Sequence, residues 1–315
     1  GSSERNLHAA FDTAREMAPS VLFIDEIDAI GHRRSNLRNA IAARGSATQL
    51  LTELDGVRND IPIHADLATA LRHAGPELPD YLIIGVAPTS GMLSPDERQV
   101  ILRAMGQGLN IVNGLHEFLN DDAEFVAAGV VHDVEILDIR RPRSKRDLRM
   151  FTGRIREVTC PRLAVLGTDG AIGKRTTATV LTKALNDAGI PTVMVSTGQT
   201  GLIQGARYGI ALDAIPSQFC SGEIEAAVVD AFMGEAPAVI VVEGQGALSH
   251  PAYLSSTFVL RGARPHGVIL QHAPGRDMLG DFPSVPMPDA ASEVHLIETF
   301  ADTKVIGLTI NHENM

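Results

Sequence analysis

The stretch R-L-A-V-L-G-T-D-G-A-I-G-K-R-T-T, residues 162–177, decides the fold of this chain. An apolar run typical of a buried strand leads into a glycine-rich turn, after which a lysine and two threonines open a helix. The backbone N–H groups of such a turn converge on an anion, and the side chain of Lys174 adds a positive charge. The stretch therefore predicts a phosphate-binding loop between a strand and a helix. The alternative is a glycine turn followed by an exposed lysine.

The loop departs from the common nucleotide-binding pattern G-x-x-x-x-G-K-[ST] in two ways. Five residues instead of four separate Gly167 from Gly173, and Arg175 stands where a hydroxyl usually binds Mg²⁺. Phosphate binding is therefore predicted, whereas nucleotide hydrolysis is not. The residues expected to bind the cofactor are Gly167, Thr168, Asp169, Gly170, Gly173, Lys174, Arg175, Thr176, Thr177 and, in a second glycine loop, Gln199.

Three further apolar runs, at 192–196, 238–242 and 267–270, each lead into a polar loop that contains glycine. Open parallel α/β sheets bind their ligands beyond the carboxyl ends of the strands. Polar loops that all follow strands therefore indicate a site at one end of a sheet.

Composition and charge describe an ordinary α/β protein. The 315 residues are 44% hydrophobic and 21% charged, with a formal net charge of -11. That charge argues against a general nucleic-acid or anionic-membrane binder, because either would need a basic face. Cys160 and Cys220 lie far apart without metal-ligand spacing, and no apolar run approaches the roughly 18 residues of a membrane span. We expect a cytoplasmic protein and a homo-oligomer, without nucleic-acid or membrane partners.

The chain divides into three predicted segments: 1–60, 61–150 and 151–315. In the first, V-L-F-I-D-E-I-D-A-I predicts a strand that ends in Asp25 and Glu26, and Q-L-L-T-E-L-D-G-V follows at 49–57. This text resembles the AAA+ ATPases of the FtsH and valosin-containing type. The resemblance implies that Asp25 and Glu26 are a Walker B pair, which binds Mg²⁺ and orients water. We expect the pair to be inactive, because the chain begins too late to include the matching phosphate loop.

The second and third segments predict the fold class. The sequence predicts a strand at 82–87, a helix at 96–105 and a strand at 110–112. This alternation suggests a small Rossmann-like domain. The third segment reads as a P-loop NTPase-like domain with a mostly parallel sheet. Its last strand, 304–310, ends shortly before residue 315, so we expect a truncated C-terminus. The predicted architecture is thus α/β, a P-loop domain plus a smaller Rossmann-like domain, preceded by an incomplete AAA+ fragment.

From residue 61 onward the chain resembles a P-loop family known as a domain of unknown function, one branch of which is named D-glutamate N-acetyltransferase. The motifs that carry the resemblance are I-I-G-V-A-P, N-G-L-H-E-F-L, D-I-R-R-P-R, G-T-D-G-A-I-G-K-R-T-T, S-T-G-Q-T-G, V-E-G-Q-G-A-L-S-H-P-A-Y and H-A-P-G-R. The family usually has Cys where Gly170 stands, and here the AAA+ fragment replaces its first strand and helix. The chain thus reads as a composite of two resemblances that meet near residues 58–61.

The resemblance implies acetyl transfer from acetyl-CoA to the amino group of a D-amino acid, with D-glutamate the named substrate. An amine must lose a proton to attack a thioester, so the reaction needs a general base and oxyanion donors. His250, His272 and Glu243 are the candidate catalytic residues, Glu243 being also a candidate metal ligand. Arginine pairs with carboxylates through two parallel hydrogen bonds. The candidate substrate-binding residues are Arg141, Arg207, Gln245 and Arg276.

Two alternatives stay open from the sequence. The first is an ATP-using enzyme similar to dethiobiotin synthetase, in which Thr176 or Thr177 reaches Mg²⁺ and Glu243 or Asp169 completes the metal site. The second is a non-catalytic nucleotide-binding module, favoured if both ends of the chain are incomplete.

Overall fold

The computed structural model describes residues 21–22, 64–75, 78–85 and 92–311, which fall into two compact units, Gly1–Arg140 and Arg141–Met315. Each unit contains one parallel sheet, so the predicted α/β fold class is confirmed. Among the described helices none is long and apolar enough to cross a membrane. The predicted Walker B pair, Asp25 and Glu26, lies outside the described residues.

The first unit has a four-stranded parallel sheet in the order β1-β2-β3-β4. Its strands are β1 (Val21–Leu22), β2 (Tyr81–Ile84), β3 (Asn110–Asn113) and β4 (Ile136–Asp138). The helices among its described residues are α1 (Leu67–Ala74), α2 (Pro95–Gly106) and α3 (Ala123–His132). A capping box between Ser94 and Glu97 begins α2, with Pro95 in the first turn. Met105 and Phe125, both fully buried, join the helices to the sheet core.

The second unit has a six-stranded parallel sheet in the order β10-β9-β5-β8-β6-β7. Its strands are β5 (Arg162–Gly167), β6 (Thr192–Ser196), β7 (Tyr208–Gly209), β8 (Val239–Glu243), β9 (Gly267–His272) and β10 (Lys304–Ile310). Its helices are α4 (Lys174–Asp187), α5 (Gln199–Ile203), α6 (Ser217–Glu235), α7 (Ser255–Ala263) and α8 (Ala290–Phe300). The order places β5, the strand before the phosphate loop, between β8 and β9.

Side chains of β5 alternate between two apolar layers, as the two-residue period of a strand requires. Leu166 belongs to the large core that α6 and α7 cover, whereas Val165 packs with Ala178 of α4 on the opposite face. A central strand buried on both faces is typical of parallel sheets. Because β5 and α4 are both held by packing, the loop between them has fixed ends.

Two buried carboxylates attach α6 to the segment that precedes β5. Glu223 accepts the backbone N–H of Arg149 at 2.6 Å, and Glu225 accepts the N–H groups of Thr152 at 2.6 Å and Ile155 at 3.1 Å. Hydrogen bonds to ionised acceptors are stronger than neutral ones, which offsets the cost of burying these charges.

Candidate functional site

The phosphate loop leaves the carboxyl end of β5 and enters α4 at Lys174, as predicted. Two residues of the loop have left-handed backbone torsions, Ala171 with φ 46° and Gly173 with φ 99°. Glycine adopts this conformation without a steric penalty, whereas alanine does so at a cost. The space next to Gly173 is open, because an added Cβ would meet no atom within 4 Å. The loop thus has room for an anion at the start of the helix.

Lys174 is buried, with 5% of its surface exposed. Its ammonium donates to the backbone carbonyl of Asp169, so the side chain folds back over its own loop. Burial lowers the pKa of Lys174 to about 8; the charges of Asp169 and Glu243 oppose that shift, and the charge of Arg276 adds to it. Lys174 therefore carries a positive charge at neutral pH and loses it under mildly alkaline conditions.

Asp169 and Arg276, predicted to bind cofactor and substrate respectively, form an ion pair with each other. The guanidinium of Arg276 lies 2.9 Å from Asp169 Oδ2, which also accepts the backbone N–H of Gly280 at 2.9 Å. Asp169 Oδ1 accepts the N–H of Gly170 at 2.7 Å. Arg276 also donates to the carbonyl of Gly170 at 3.2 Å. In this arrangement the pair holds the shape of the loop.

Glu243 ends β8, next to the loop strand, and is buried at 6% exposure. Its Oε2 accepts the backbone N–H of Thr197 at 3.2 Å, which ties β8 to the second glycine loop. Burial raises the pKa of Glu243, while the Thr197 N–H and the charges of Arg175 and Lys174 oppose that shift. The guanidinium of Arg175 donates to the side chain of Gln204. Glu243 therefore shares the electrostatic environment of the two loop cations.

His250 lies in the loop after β8 and is buried at 5% exposure. Its Nδ1 accepts two backbone N–H groups, from Ala252 at 3.2 Å and Tyr253 at 3.1 Å. Its Nε2 is buried and has no hydrogen-bond partner in the described part of the chain. The ring stacks on Tyr253 with 4.4 Å between centroids and an interplanar angle of 15°.

His272 ends β9 and contacts the phosphate loop directly. Its Nδ1 lies 2.9 Å from the hydroxyl of Thr168, which is itself 3.8 Å from the sulfur of Met287. If the hydroxyl proton is directed at that sulfur, the oxygen accepts from Nδ1–H of His272, and Nε2 keeps its lone pair. Burial lowers the pKa of His272, and the charge of Asp289 opposes this, so the imidazole is neutral at pH 7.

The two threonines of the ATP-using alternative differ in position. Thr177 donates its hydroxyl to Gln271 Oε1 at 2.6 Å, and Thr176 is exposed. Gln271 also accepts the hydroxyl of Thr309 at 2.6 Å and thereby links α4, β9 and β10. Sequence reasoning missed this role, although Gln271 is the first polar residue after an apolar strand. No group of three potential metal ligands from His, Cys, Asp and Glu occurs in the described part of the chain.

The remaining predicted residues have separate positions. Arg207 forms an ion pair with Glu235 next to the edge strand β7, and its guanidinium lies over the Tyr208 ring. Gln245 donates to the carbonyl of Thr197. Gln199 begins α5 and is half-buried, while Arg141 is exposed at the start of the second unit.

A cavity of about 490 Å³ in the second unit lies at the other end of its sheet from the phosphate loop. It is lined by the chain before β9 and β10, including Arg264, Pro265 and Asp302, and by Phe151 and Phe300. Ligand sites of parallel sheets lie at the carboxyl ends of the strands, so the loop is the better candidate despite this volume.

Fold and loop together define a P-loop α/β protein with a Rossmann-like first domain. Two family models match the chain. The model described as "Domain of unknown function (DUF1611_C) P-loop domain" matches residues 149–315. The model described as "Domain of unknown function (DUF1611_N) Rossmann-like domain" matches residues 44–142. The chain belongs to the DUF1611 family, which confirms the resemblance seen in the sequence. The predicted boundary between residues 60 and 61 stays a prediction.

Individual proteins agree with this assignment. A D-glutamate N-acetyltransferase of Pseudoalteromonas sp. is 32% identical over 236 residues, which cover 73% of this chain and 68% of that protein. A crystal structure of a DUF1611 family protein from Anabaena variabilis superposes with a TM-score of 0.75 at 30% identity, covering 84% of this chain and 76% of the other.

The AAA+ resemblance is also confirmed, as a short match. Cell division control protein 48 homolog C of Arabidopsis thaliana is 49% identical over 59 residues, which are 19% of this chain and 7% of that protein. Because the match covers so small a share of that protein, it supports no inference about the activity of this chain.

Proposed function

We propose that this chain is an N-acetyltransferase that moves the acetyl group of acetyl-CoA to the amino group of D-glutamate or a related D-amino acid. The observation that carries the proposal is the phosphate loop, in which Arg175 replaces the hydroxyl that would bind Mg²⁺. Such a loop suits a phosphorylated ligand that is bound and not hydrolysed. The reaction class comes from the Pseudoalteromonas relative and its name.

The loop would hold the phosphates of the coenzyme. Backbone N–H groups at the start of α4 and the left-handed turn at residues 171–173 provide donors and space. The buried ammonium of Lys174 adds a charge that water screens little. Bound coenzyme would supply the acyl group as a reactive thioester, and the protein would hold it against the amine.

His272 is the residue best placed to take the proton of the amine. When the Thr168 hydroxyl accepts from Nδ1–H, Nε2 is able to accept a proton, and the lowered pKa favours the neutral ring at pH 7. In the transfer a carbon–nitrogen bond forms and the carbon–sulfur bond breaks. The electron pair of that bond leaves with sulfur, and the amine proton passes to the imidazole.

A transfer assay tests the proposal. Purified chain is mixed with acetyl-CoA and D-glutamate, and the released thiol is measured against L-glutamate as the matched control substrate. We expect thiol release that depends on D-glutamate and is lost in His272→Ala. The proposal would be refuted if thiol release with D-glutamate and with L-glutamate, each measured separately, were no greater than in a blank without protein.

Thermal unfolding separates the coenzyme from Mg-ATP. A ligand at about 100 times its dissociation constant stabilises the native state by roughly 2.7 kcal/mol. We expect stabilisation by acetyl-CoA, abolished in Lys174→Met and partly retained in Lys174→Arg. Stabilisation by Mg-ATP alone would favour the ATP-using enzyme instead.

A further inference from the structure

The imidazole of His250 is held as a single tautomer by the backbone around it. Its Nδ1 accepts from the N–H groups of Ala252 and Tyr253, and a nitrogen that accepts cannot carry a proton. The proton of the neutral ring is therefore on Nε2. Protonation of Nδ1 would break both hydrogen bonds, so the backbone opposes the imidazolium form.

The surroundings of the ring also favour its neutral form. Burial lowers the pKa of His250; the charges of Asp169 and Asp281 oppose that shift, and the charge of Lys174 adds to it. Tyr253, whose ring stacks on that of His250, donates its phenol hydroxyl to the carboxylate of Asp281 at 2.9 Å. The carboxylate of Asp281 is therefore hydrogen-bonded to Tyr253. Phe282 packs at 5.7 Å between centroids with a tilt of 60°. Aromatic contacts on two sides orient the ring.

The Nε2–H group is a buried donor that has no hydrogen-bond partner among the residues that the structure describes. Most buried polar groups in native proteins are hydrogen-bonded, and an unsatisfied one calls for an explanation, of which a catalytic role is one. Asp169 and Lys174 of the phosphate loop are among the charges that act on this ring, so the donor shares the environment of the loop. A fixed donor at this position suits an oxygen that gains negative charge.

We propose that His250 donates a hydrogen bond from Nε2 to the acyl carbonyl oxygen of the thioester and does not act as the general base. This inference rests on the proposed acetyl transfer. As the carbonyl carbon is attacked, its oxygen gains negative charge, and a preorganised donor stabilises that charge. The sequence placed His250 and His272 together as base candidates, whereas their Nδ1 partners give them different roles. Nδ1 of His250 accepts from two backbone N–H groups, whereas Nδ1 of His272 faces the Thr168 hydroxyl, which can accept a hydrogen bond from it.

Substitutions by glutamine and alanine separate the roles of the two histidines. Glutamine keeps an N–H donor but cannot accept the amine proton. We expect kcat to fall by about 100-fold or more in His250→Ala, the typical loss for one oxyanion donor, and by less than about tenfold in His250→Gln. In the matched His272→Gln variant the donor does not help, so we expect a loss as large as in His272→Ala. Equal losses in His250→Gln and His250→Ala would overturn the proposal.

The pH profile of kcat gives a second readout. In wild type and His250→Gln we expect the same acidic limb, because the base is elsewhere; in His272→Gln we expect that limb to disappear. Loss of the limb in His250→Gln would assign the base to His250 and overturn the inference.

Nitrogen NMR of the whole chain tests the tautomer without relying on catalysis. With ¹⁵N-labelled histidine, and His250→Gln for assignment, we expect Nε2 of His250 to be protonated and Nδ1 unprotonated at pH 7 and pH 8. Addition of acetyl-CoA should shift the Nε2–H resonance of His250. A charged ring or an Nδ1–H tautomer at pH 7, or an Nε2–H resonance unmoved by saturating acetyl-CoA, would refute the donor role. Absence of acetyl transfer in wild type with these NMR signatures intact would instead refute only the proposed reaction.

Discussion

Raising the pH from 7 to 9 should weaken the binding of acetyl-CoA by about tenfold through Lys174 alone. Burial places the pKa of Lys174 at about 8, so about nine tenths of the molecules carry the ammonium at pH 7 and about one tenth at pH 9. A bound phosphate favours the ammonium and raises this pKa in the complex. Affinity is therefore full below pH 8 and is lost as the pH rises through that value. Tenfold corresponds to about 1.4 kcal/mol of binding free energy.

Isothermal titration calorimetry between pH 7 and pH 9 measures this effect. Acetyl-CoA suits the experiment because it has no free thiol to titrate. The histidines nearby have pKa values below their usual 6.5 and stay neutral throughout. The matched control is Lys174→Arg, whose guanidinium keeps its charge over the whole range. We expect a slope in wild type and a flat line in the control.

Either of two results would refute this reasoning about Lys174. A wild-type dissociation constant unchanged from pH 7 to pH 9 would mean that the ammonium does not contribute to binding or titrates outside the range. The same slope in Lys174→Arg would assign the pH dependence to another group.

Two further predictions concern stability. In α6, Gly222→Ala would push a Cβ into the backbone of residues 149–151, so we expect a loss of about 3 kcal/mol and a melting temperature lower by roughly 6–12 °C. Gly234→Ala in the same helix meets the hydroxyl and ring edge of the half-buried Tyr208, a side chain and not backbone, so we expect a smaller loss than for Gly222→Ala, measured by calorimetry. Equal shifts in both variants would contradict the argument. In the first unit, buried Asp138 accepts hydrogen bonds from two asparagine side chains and two backbone N–H groups. Asp138→Ala should lower the free energy of unfolding by about 3 kcal/mol, measured by urea denaturation followed by circular dichroism. The exposed Asp96→Ala should change it by nearly nothing. Similar urea midpoints for the two variants would contradict this prediction.

The phosphate loop and its parallel sheet were predictable from sequence because their signals are local. An apolar run, a glycine turn and a helix start lie within the 16 residues of 162–177. Backbone torsions are restricted locally, and a short apolar run is a sequence signal of a buried strand. For the same reason the polar loops after β6, β8 and β9 pointed correctly to the ends of those strands.

The partners of individual site residues were not predictable. Asp169 and Arg276, 107 positions apart, were assigned to two different ligands, and the structure joins them in one ion pair. Thr168 and His272 are 104 positions apart, and their side chains lie 2.9 Å from each other. Such pairings depend on which strands are neighbours, and the order β9-β5-β8 exists only in the folded sheet.

The sequence by itself determined that a phosphate loop follows a buried strand and that two histidines follow later strands. Only the tertiary structure decided that Nδ1 of His250 accepts two backbone N–H groups and that Nδ1 of His272 meets the Thr168 hydroxyl. It also decided how far burial lowers the pKa of Lys174. The physical reason is that a hydrogen bond or a desolvated charge is set by the atoms a few ångströms away, and in a parallel sheet those atoms come from distant parts of the chain.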